Sequence, residues 1–157
     1  MRGRRRALLF LLVALVTPSV TSAGAWSHES FENDGALDWA AEFQQNPTAE
    51  FVRRTLASGA NSRHIESFVG ESIIAAAEVV AASLGRPCKG LPPEVVSLVA
   101  RFGAQYRMLA SLAQSALAGV LGSGSELREN WSLHADGLAR WESSVNELVK
   151  RLSRPAA

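Results

Sequence analysis

Five carboxylates and four aromatic rings fall within one stretch, Trp26 to Phe43, which reads WSHESFENDGALDWAAEF. Closely spaced carboxylates can bind a calcium ion when a glycine holds the sixth position of a twelve-residue loop. With Gly35 in that position, Ser30 stands first and Ala41 stands twelfth. A calcium loop needs Asp and Glu at those two places, so the pattern fails at both ends and predicts no calcium site.

The same stretch contains half of a zinc-protease motif. His28 and Glu29 match its first two residues, but Glu32 stands where the second histidine is required. Ser27 adjoins His28, yet a catalytic triad is assembled in space and adjacency does not indicate one. The sequence contains no Cys/His metal spacing and no phosphate-binding glycine loop. We therefore assign no catalytic residue, no metal ligand and no cofactor.

A helix that begins at Asn33 or Asp34 explains the spacing of the acids better. Both residue types are good N-caps, and acids suit the positive end of a helix. Its inner side would hold Ala36, Trp39, Ala40 and Phe43. The residues before it would either fold back on the helix as a hydrophobic staple or stay exposed as interface anchors. The candidate binding residues are Trp26, Phe31, Asp34, Asp38 and Glu42, and the partner that fits them is a basic protein surface.

Two further acids and one histidine lie on apolar helical segments. Glu71 and Glu78 are seven residues apart, so they could form an acid/base or metal pair. The alternative, which we favour, is that they lie at the edge of the buried face and meet arginine side chains. His134 falls within an apolar seam, where a satisfied core histidine is expected more often than a ligand.

Cys88 is the only cysteine, so no disulfide can form within the chain. It lies in the loop-like sequence Arg86-Pro87-Cys88-Lys89-Gly90, whose cations could lower the pKa of the thiol. No histidine or acid lies near it in sequence. We interpret it as a structural thiol rather than a nucleophile.

Apolar residues recur at helical spacing through the chain, and no segment alternates as a strand would. The fold class is therefore all-α: a compact bundle of five or six helices in a single domain. Gly85 and Pro93 mark a helix end and a helix start, and Gly103 is a possible break. Ser123 with Glu126 fits a capping box. The predicted helices cover about 34–45, 48–57, 62–84, 93–121 and 125–152.

The first 23 residues resemble a secretory signal peptide. Four arginines precede the unbroken apolar run Ala7 to Val16, which is followed by small and polar residues. Cleavage after Ala23 would leave a domain over residues 24–157, and cleavage after Ala25 is the alternative. Ten apolar residues are too few to span a bilayer comfortably, so an uncleaved anchor is the less favoured alternative. We expect a secreted or periplasmic protein without a stable membrane span after cleavage.

Removal of the leader changes the charge balance. Four of the 16 basic residues precede residue 23, whereas all 15 acids follow it. The remaining chain has 12 basic and 15 acidic residues, a net charge of −3. No basic patch is left, which argues against a nucleic-acid partner.

The opening stretch resembles the N-terminal signature of a bacterial domain-of-unknown-function family, number 4259. The matching segments are Gly24-Ala25-Trp26, Phe31-Glu32-Asn33-Asp34 and Ala36-Leu37-Asp38-Trp39. Weaker similarity continues near Ala75 to Ala81, Gly85-Arg86-Pro87 and Ser125 to Trp131. The spacer Ser27-His28-Glu29-Ser30 and the leader depart from the family pattern. The resemblance implies the domain boundaries and the fold but supplies no catalytic residue.

These observations predict an exported helical domain that acts as a protein-interaction or structural module without catalytic activity. The alternative is a small carboxylate- or metal-dependent hydrolase that uses acids of the segment 29–38 together with Glu71, Glu78 or a histidine. The two differ in geometry: a hydrolase needs these acids to meet a histidine in one cleft, whereas a module needs an exposed aromatic and acidic surface.

Overall fold

The computed structural model describes residues 29–153. The predicted signal peptide, its cleavage sites and Trp26 lie outside these residues. Seven α-helices occur in the described part: α1 Asp34–Gln45, α2 Ala49–Gly59, α3 Ser67–Ser83, α4 Pro93–Phe102, α5 Ala110–Val120, α6 Glu126–Ser132 and α7 Gly137–Ser153. None of them is long and apolar enough to cross a membrane. The all-α prediction is confirmed, with one helix more than expected.

Helix α3 is the centre of the bundle. It contacts each of the other six helices, and 12 of its 17 residues are buried. The run Ala75-Ala76-Ala77 is fully buried, so neighbouring helices approach the α3 backbone closely. The predicted helix at about 62–84 is therefore confirmed, and only its start differs.

The predicted start of this helix at residue 62 is wrong, because the segment before Ser67 pairs with a distant loop instead. The Ile65 N–H donates to the Gly124 carbonyl, and the Glu126 N–H donates to the Ile65 carbonyl, both at 2.9 Å. These bonds hold the backbone around Ile65 extended. The helix begins where they end, and the Glu126 carboxylate accepts a hydrogen bond from the Ser67 N–H at 3.1 Å.

The predicted capping box is also wrong in register. Ser125, not Ser123, is the N-cap of α6, and its hydroxyl accepts from the Arg128 N–H. Glu126 is then the first helical residue, whereas a capping box needs its glutamate three residues after the N-cap to accept from the N-cap N–H. Its carboxylate serves the N-terminus of α3 instead, where the first backbone N–H groups have no partner within the helix.

The segment predicted as one last helix is two. α6 ends at Ser132, and α7 begins at Gly137 after Asp136 adopts the left-handed conformation, with φ of 56°. A Cβ at Gly137 would lie 2.8 Å from the Cβ of His134, so this turn requires glycine. His134 consequently lies exposed in the turn rather than in a core seam. The predicted break near Gly103 is confirmed, since two short 3-10 turns separate α4 from α5.

An aromatic cluster fixes α1 against α2. The Trp39 ring stacks on Phe43 at 5.2 Å and on Phe51 at 5.5 Å between centroids. Tyr106 meets Phe43 edge-on at 5.7 Å, and its hydroxyl donates to the Pro47 carbonyl at 2.7 Å. The aromatic inner side predicted for α1 is therefore confirmed, and it sets the orientation of the outer side.

Candidate functional site

The outer side of α1 is an exposed row of carboxylates. Asn33 caps the helix through its side-chain oxygen, which accepts from the Ala36 N–H at 2.8 Å. Asp34, Asp38 and Glu42 follow at intervals of four and are all exposed, as this spacing requires when the opposite side is buried. No hydrogen bond or ion pair within residues 29–153 engages the side chain of Asp38 or Glu42.

Two apolar side chains border this row. Leu37 is 48% exposed on one edge. On the other edge Phe68 of α3 is 51% exposed, and its ring lies 3.2 Å from where a Cβ on Gly35 would be. The Phe68 ring therefore lies beside the first turn of α1, at the N-terminal end of the acidic row. We call Asp34, Leu37, Asp38, Glu42 and Phe68 the acidic–apolar patch.

Phe68 belongs to a largely buried helix, yet half of its surface is exposed. Ser67 starts the helix five residues later than expected, and Phe68 in its first turn lies beside Gly35 of α1. Gly35 lacks a side chain that would cover the ring. Gly35 is the one sequence feature that could have indicated room for an aromatic ring beside α1. Its contact with Phe68, however, joins residues that are 33 positions apart in the sequence.

Glu71 of α3 binds the N-terminal turn of α1. Its carboxylate accepts from the Gly35 N–H at 3.1 Å and so caps the first turn of α1 from a neighbouring helix. Partial burial raises its pKa, the Gly35 bond opposes that rise, and the negative charge of Asp34 adds to it. Glu71 therefore has a structural partner, although this is a backbone amide and not the arginine expected.

Of the other two candidate binding residues, the structure describes only Phe31. Phe31 is buried, with 7% of its surface exposed, so it packs in the core beneath α1. Trp26 lies outside the described residues. Of the five candidates, Asp34, Asp38 and Glu42 are thus the ones found together on one surface.

An open cleft lies apart from the patch, with a volume of about 610 Å³. One wall is a polar stripe of α7, and the other is formed by the loop after α3 and by residues 29–30. Its lining includes Glu78, Cys88, Lys89, Arg140, Glu147 and Arg151. The sequence places Glu78 on a helix and Cys88 in a loop, and it does not predict that the two residues line one cleft.

The floor of the cleft is a buried ion pair. Glu78 is 1% exposed, and Arg151 donates to both of its oxygens at 2.7 and 2.8 Å. The Ser30 hydroxyl donates to Glu78 at 2.8 Å. Arg151 and Arg86 also exchange hydrogen bonds through their carbonyls at 3.0 Å. The predicted arginine partner for Glu78 is confirmed, and Glu71 and Glu78 do not converge.

The prediction that neighbouring cations lower the pKa of Cys88 is wrong. Burial and the adjacent Glu78 carboxylate raise the pKa of the thiol to about 12, against a smaller opposing effect of Arg151. Cations next to Cys88 in sequence do not dominate because one of them, Arg86, is directed to α7. The thiol is therefore protonated at neutral pH and is a poor nucleophile.

We expect the alkylation of Cys88 by iodoacetamide at pH 8 to be very slow in the folded protein. A pKa of about 12 instead of 9.0 lowers the thiolate fraction about 1,000-fold at that pH. The same chain in guanidinium should react at the ordinary rate of a free cysteine. Equal rates in the folded and unfolded chain would contradict this assignment.

The structure describes two of the three histidines, His64 and His134. His64 faces Glu126 at 3.2 Å, and His134 lies edge-on to Trp131 at 6.2 Å. Neither lines the cleft. Among residues 29–153 no group of three His, Cys, Asp or Glu side chains has the geometry of a metal site.

A family model described as "Domain of unknown function (DUF4259)" matches residues 24–144. This range covers the N-terminal stretch, the acidic–apolar patch and most of the cleft, and it ends within α7. No curated protein and no solved structure matches the chain.

Proposed function

This chain belongs to the DUF4259 family, and because the family description names no activity, we propose a function from the geometry of the acidic–apolar patch. The protein is a helical interaction module that binds a basic, amphipathic segment of a partner protein. The observation that carries the proposal is the exposed acidic row of α1 between Leu37 and Phe68. Export through the leader would place this module outside the cytoplasm.

The patch offers a rigid surface. α1 is held by its own cap at Asn33, by the remote carboxylate of Glu71 and by the stacking of Trp39 on Phe51 of α2. A partner that binds the outer side of α1 therefore orders little of this protein. Such preorganisation lowers the entropic cost of binding.

The charge of the patch extends along the sequence around it. Residues 29–52 contain six acidic residues and no basic residue; the first basic residue after this segment is Arg53. Like charges on one side of a protein attract an oppositely charged partner and raise the association rate at low salt. The partner segment is therefore rich in lysine or arginine.

The apolar borders add a second requirement. Leu37 and Phe68 expose about half of their surface on either side of the acids, and burial of such side chains contributes to affinity in proportion to the apolar area removed from water. A purely basic segment would leave both exposed. A partner with apolar residues beside its basic ones, as on an amphipathic helix, satisfies both features of the patch.

The test uses a synthetic helical peptide of lysine and leucine with helical spacing, and a scrambled peptide of the same composition. We expect the amphipathic peptide to bind with saturable amide shifts in α1. Replacing Asp38 with Asn and Glu42 with Gln should weaken binding about fivefold at low salt, since exposed charge pairs contribute about 0.2–1 kcal/mol each. Titration calorimetry and NMR shift mapping measure both effects.

A matched control separates specific binding from net charge. The double variant Glu94→Gln and Glu129→Gln removes two exposed acids from α4 and α6 and should leave the affinity unchanged. Phe68→Ala should weaken binding, whereas Leu133→Ala, at a residue that is 78% exposed elsewhere, should not. Equal binding of the scrambled peptide, or equal loss in the control double variant, would refute the proposed patch.

A further inference from the structure

The hydrogen-bond donors of Arg151 in the cleft are not all used by the protein. A guanidinium has five N–H donors. Nη1 donates to Glu78 Oε2 and to the Arg86 carbonyl, and Nη2 donates one hydrogen to Glu78 Oε1. Within the described residues, the Nε–H and the second Nη2 hydrogen have no protein acceptor. These two donors point the same way, because they form the side edge of the guanidinium fork.

This free edge matches the geometry of a carboxylate. Two parallel N–H groups on one edge of arginine bind two carboxylate oxygens in a bidentate pair. Arg151 lines the cleft, and its side chain is 16% exposed. Glu78 cannot take this edge, since its two oxygens already accept from the opposite end of the guanidinium. The Nε/Nη2 edge of Arg151 is therefore open to a carboxylate from outside the protein.

Glu147, on the same wall as Arg151, disfavours an anion that carries no positive group. Glu147 lies one helical turn before Arg151 on the same wall, is exposed, and has no hydrogen bond or ion pair within the described residues. Its negative charge acts on Arg151 and would repel a simple anion. A ligand that also carries a positive group would bind Arg151 and Glu147 together.

The spacing of these two residues sets the size of such a ligand. Four residues along a helix correspond to about 6 Å. An extended peptide covers about 3.5 Å per residue, so the free ends of a dipeptide are about as far apart. The volume of about 610 Å³ lies within the usual range for small-molecule pockets.

We propose that this cleft binds a small zwitterion of dipeptide size, with its carboxylate on the Nε/Nη2 edge of Arg151 and its ammonium group at Glu147. The site is separate from the acidic–apolar patch, none of whose residues lines the cleft. Lys89 and Arg140, also in the lining, favour the carboxylate end electrostatically. The proposal therefore stands or fails independently of the interaction function.

The experiment titrates the full chain with Ala-Ala, with its N-acetylated form and with its C-terminal amide. Amide shifts in a ¹H–¹⁵N spectrum report the binding position. We expect Ala-Ala to shift Gly90, Ser143 and Ser144 in a saturable way, and each blocked form to bind at least tenfold more weakly. Absence of saturable shifts in these residues would refute the site. Equal binding of the N-acetylated form would also overturn the proposal, because it would show an anion site.

Two variants complete the test. Glu147→Gln removes the charge that faces the ammonium group at an exposed position, so the fold is retained. It should weaken Ala-Ala at least fivefold and leave the N-acetylated form unaffected. Glu94→Gln, an exposed acid on α4, is the matched control and should change nothing. An unchanged affinity in Glu147→Gln would exclude Glu147 from the site and refute the proposed orientation.

Discussion

Replacing Arg151 with methionine is expected to lower the free energy of unfolding by about 3–5 kcal/mol, because it leaves a buried carboxylate without its cation. Glu78 is 1% exposed, and both of its oxygens bind the Arg151 guanidinium. Ser30 and the Cys88 thiol are neutral and cannot replace that charge. The measurement is equilibrium unfolding in urea, followed by circular dichroism.

Two comparisons make this result specific. Lys150→Met changes the neighbouring residue, which is exposed, and should alter stability by less than about 0.5 kcal/mol. The double variant Glu78→Leu and Arg151→Met removes both charges and should recover most of the loss, since a buried ion pair is often no more stable than apolar residues of similar volume. A loss in Arg151→Met no larger than in Lys150→Met would show that the pair contributes little.

Replacing Phe43 with alanine is expected to lower the free energy of unfolding by about 3–5 kcal/mol. Phe43 is fully buried and contacts the rings of Trp39, Phe51 and Tyr106. Its removal leaves a cavity at the point where α1, α2 and the turn before α5 meet. Thermal and urea unfolding measure the loss, which is large enough to populate the unfolded chain in a marginally stable domain.

The matched control lies on the same helix. Leu37→Ala truncates an apolar side chain on the outer side of α1 and should change stability by less than about 0.5 kcal/mol, while it weakens binding at the acidic–apolar patch. A comparable loss of stability in Leu37→Ala would mean that the outer side is packed. The two variants together separate the structural side of this helix from its binding side.

The parts of the fold that depend on local chemistry were predictable from the sequence. The caps Asn33 and Thr48 act on their own helices, and the stop at Gly85 uses its left-handed backbone, with φ of 81°. The inner and outer sides of α1 follow from helical spacing alone. This is why Asp34, Asp38 and Glu42 could be placed on one surface before the structure was known.

The remaining features depend on groups far apart in sequence. Glu78 and Arg151 are 73 residues apart, and the need of a buried acid for a cation does not tell which arginine supplies it. The exposure of Phe68 depends on how α3 packs against α1, and the apolar periodicity of α3 does not predict that packing. The break before α7 rests on the left-handed Asp136, a conformation that asparagine and aspartate adopt only occasionally.

The capping of α3 by Glu126 also has a consequence for the order in which the chain can fold. Glu126 follows Ser67 by 59 residues. The two backbone hydrogen bonds of Ile65 join the same two parts of the chain. Ribosomes add about 5–20 residues per second, so this interval takes about 3–12 s during synthesis. Until then the central helix lacks a completed first turn. We infer that the helices pack fully around α3 only after α6 has been synthesised. The N-terminal helices stay partly assembled until then.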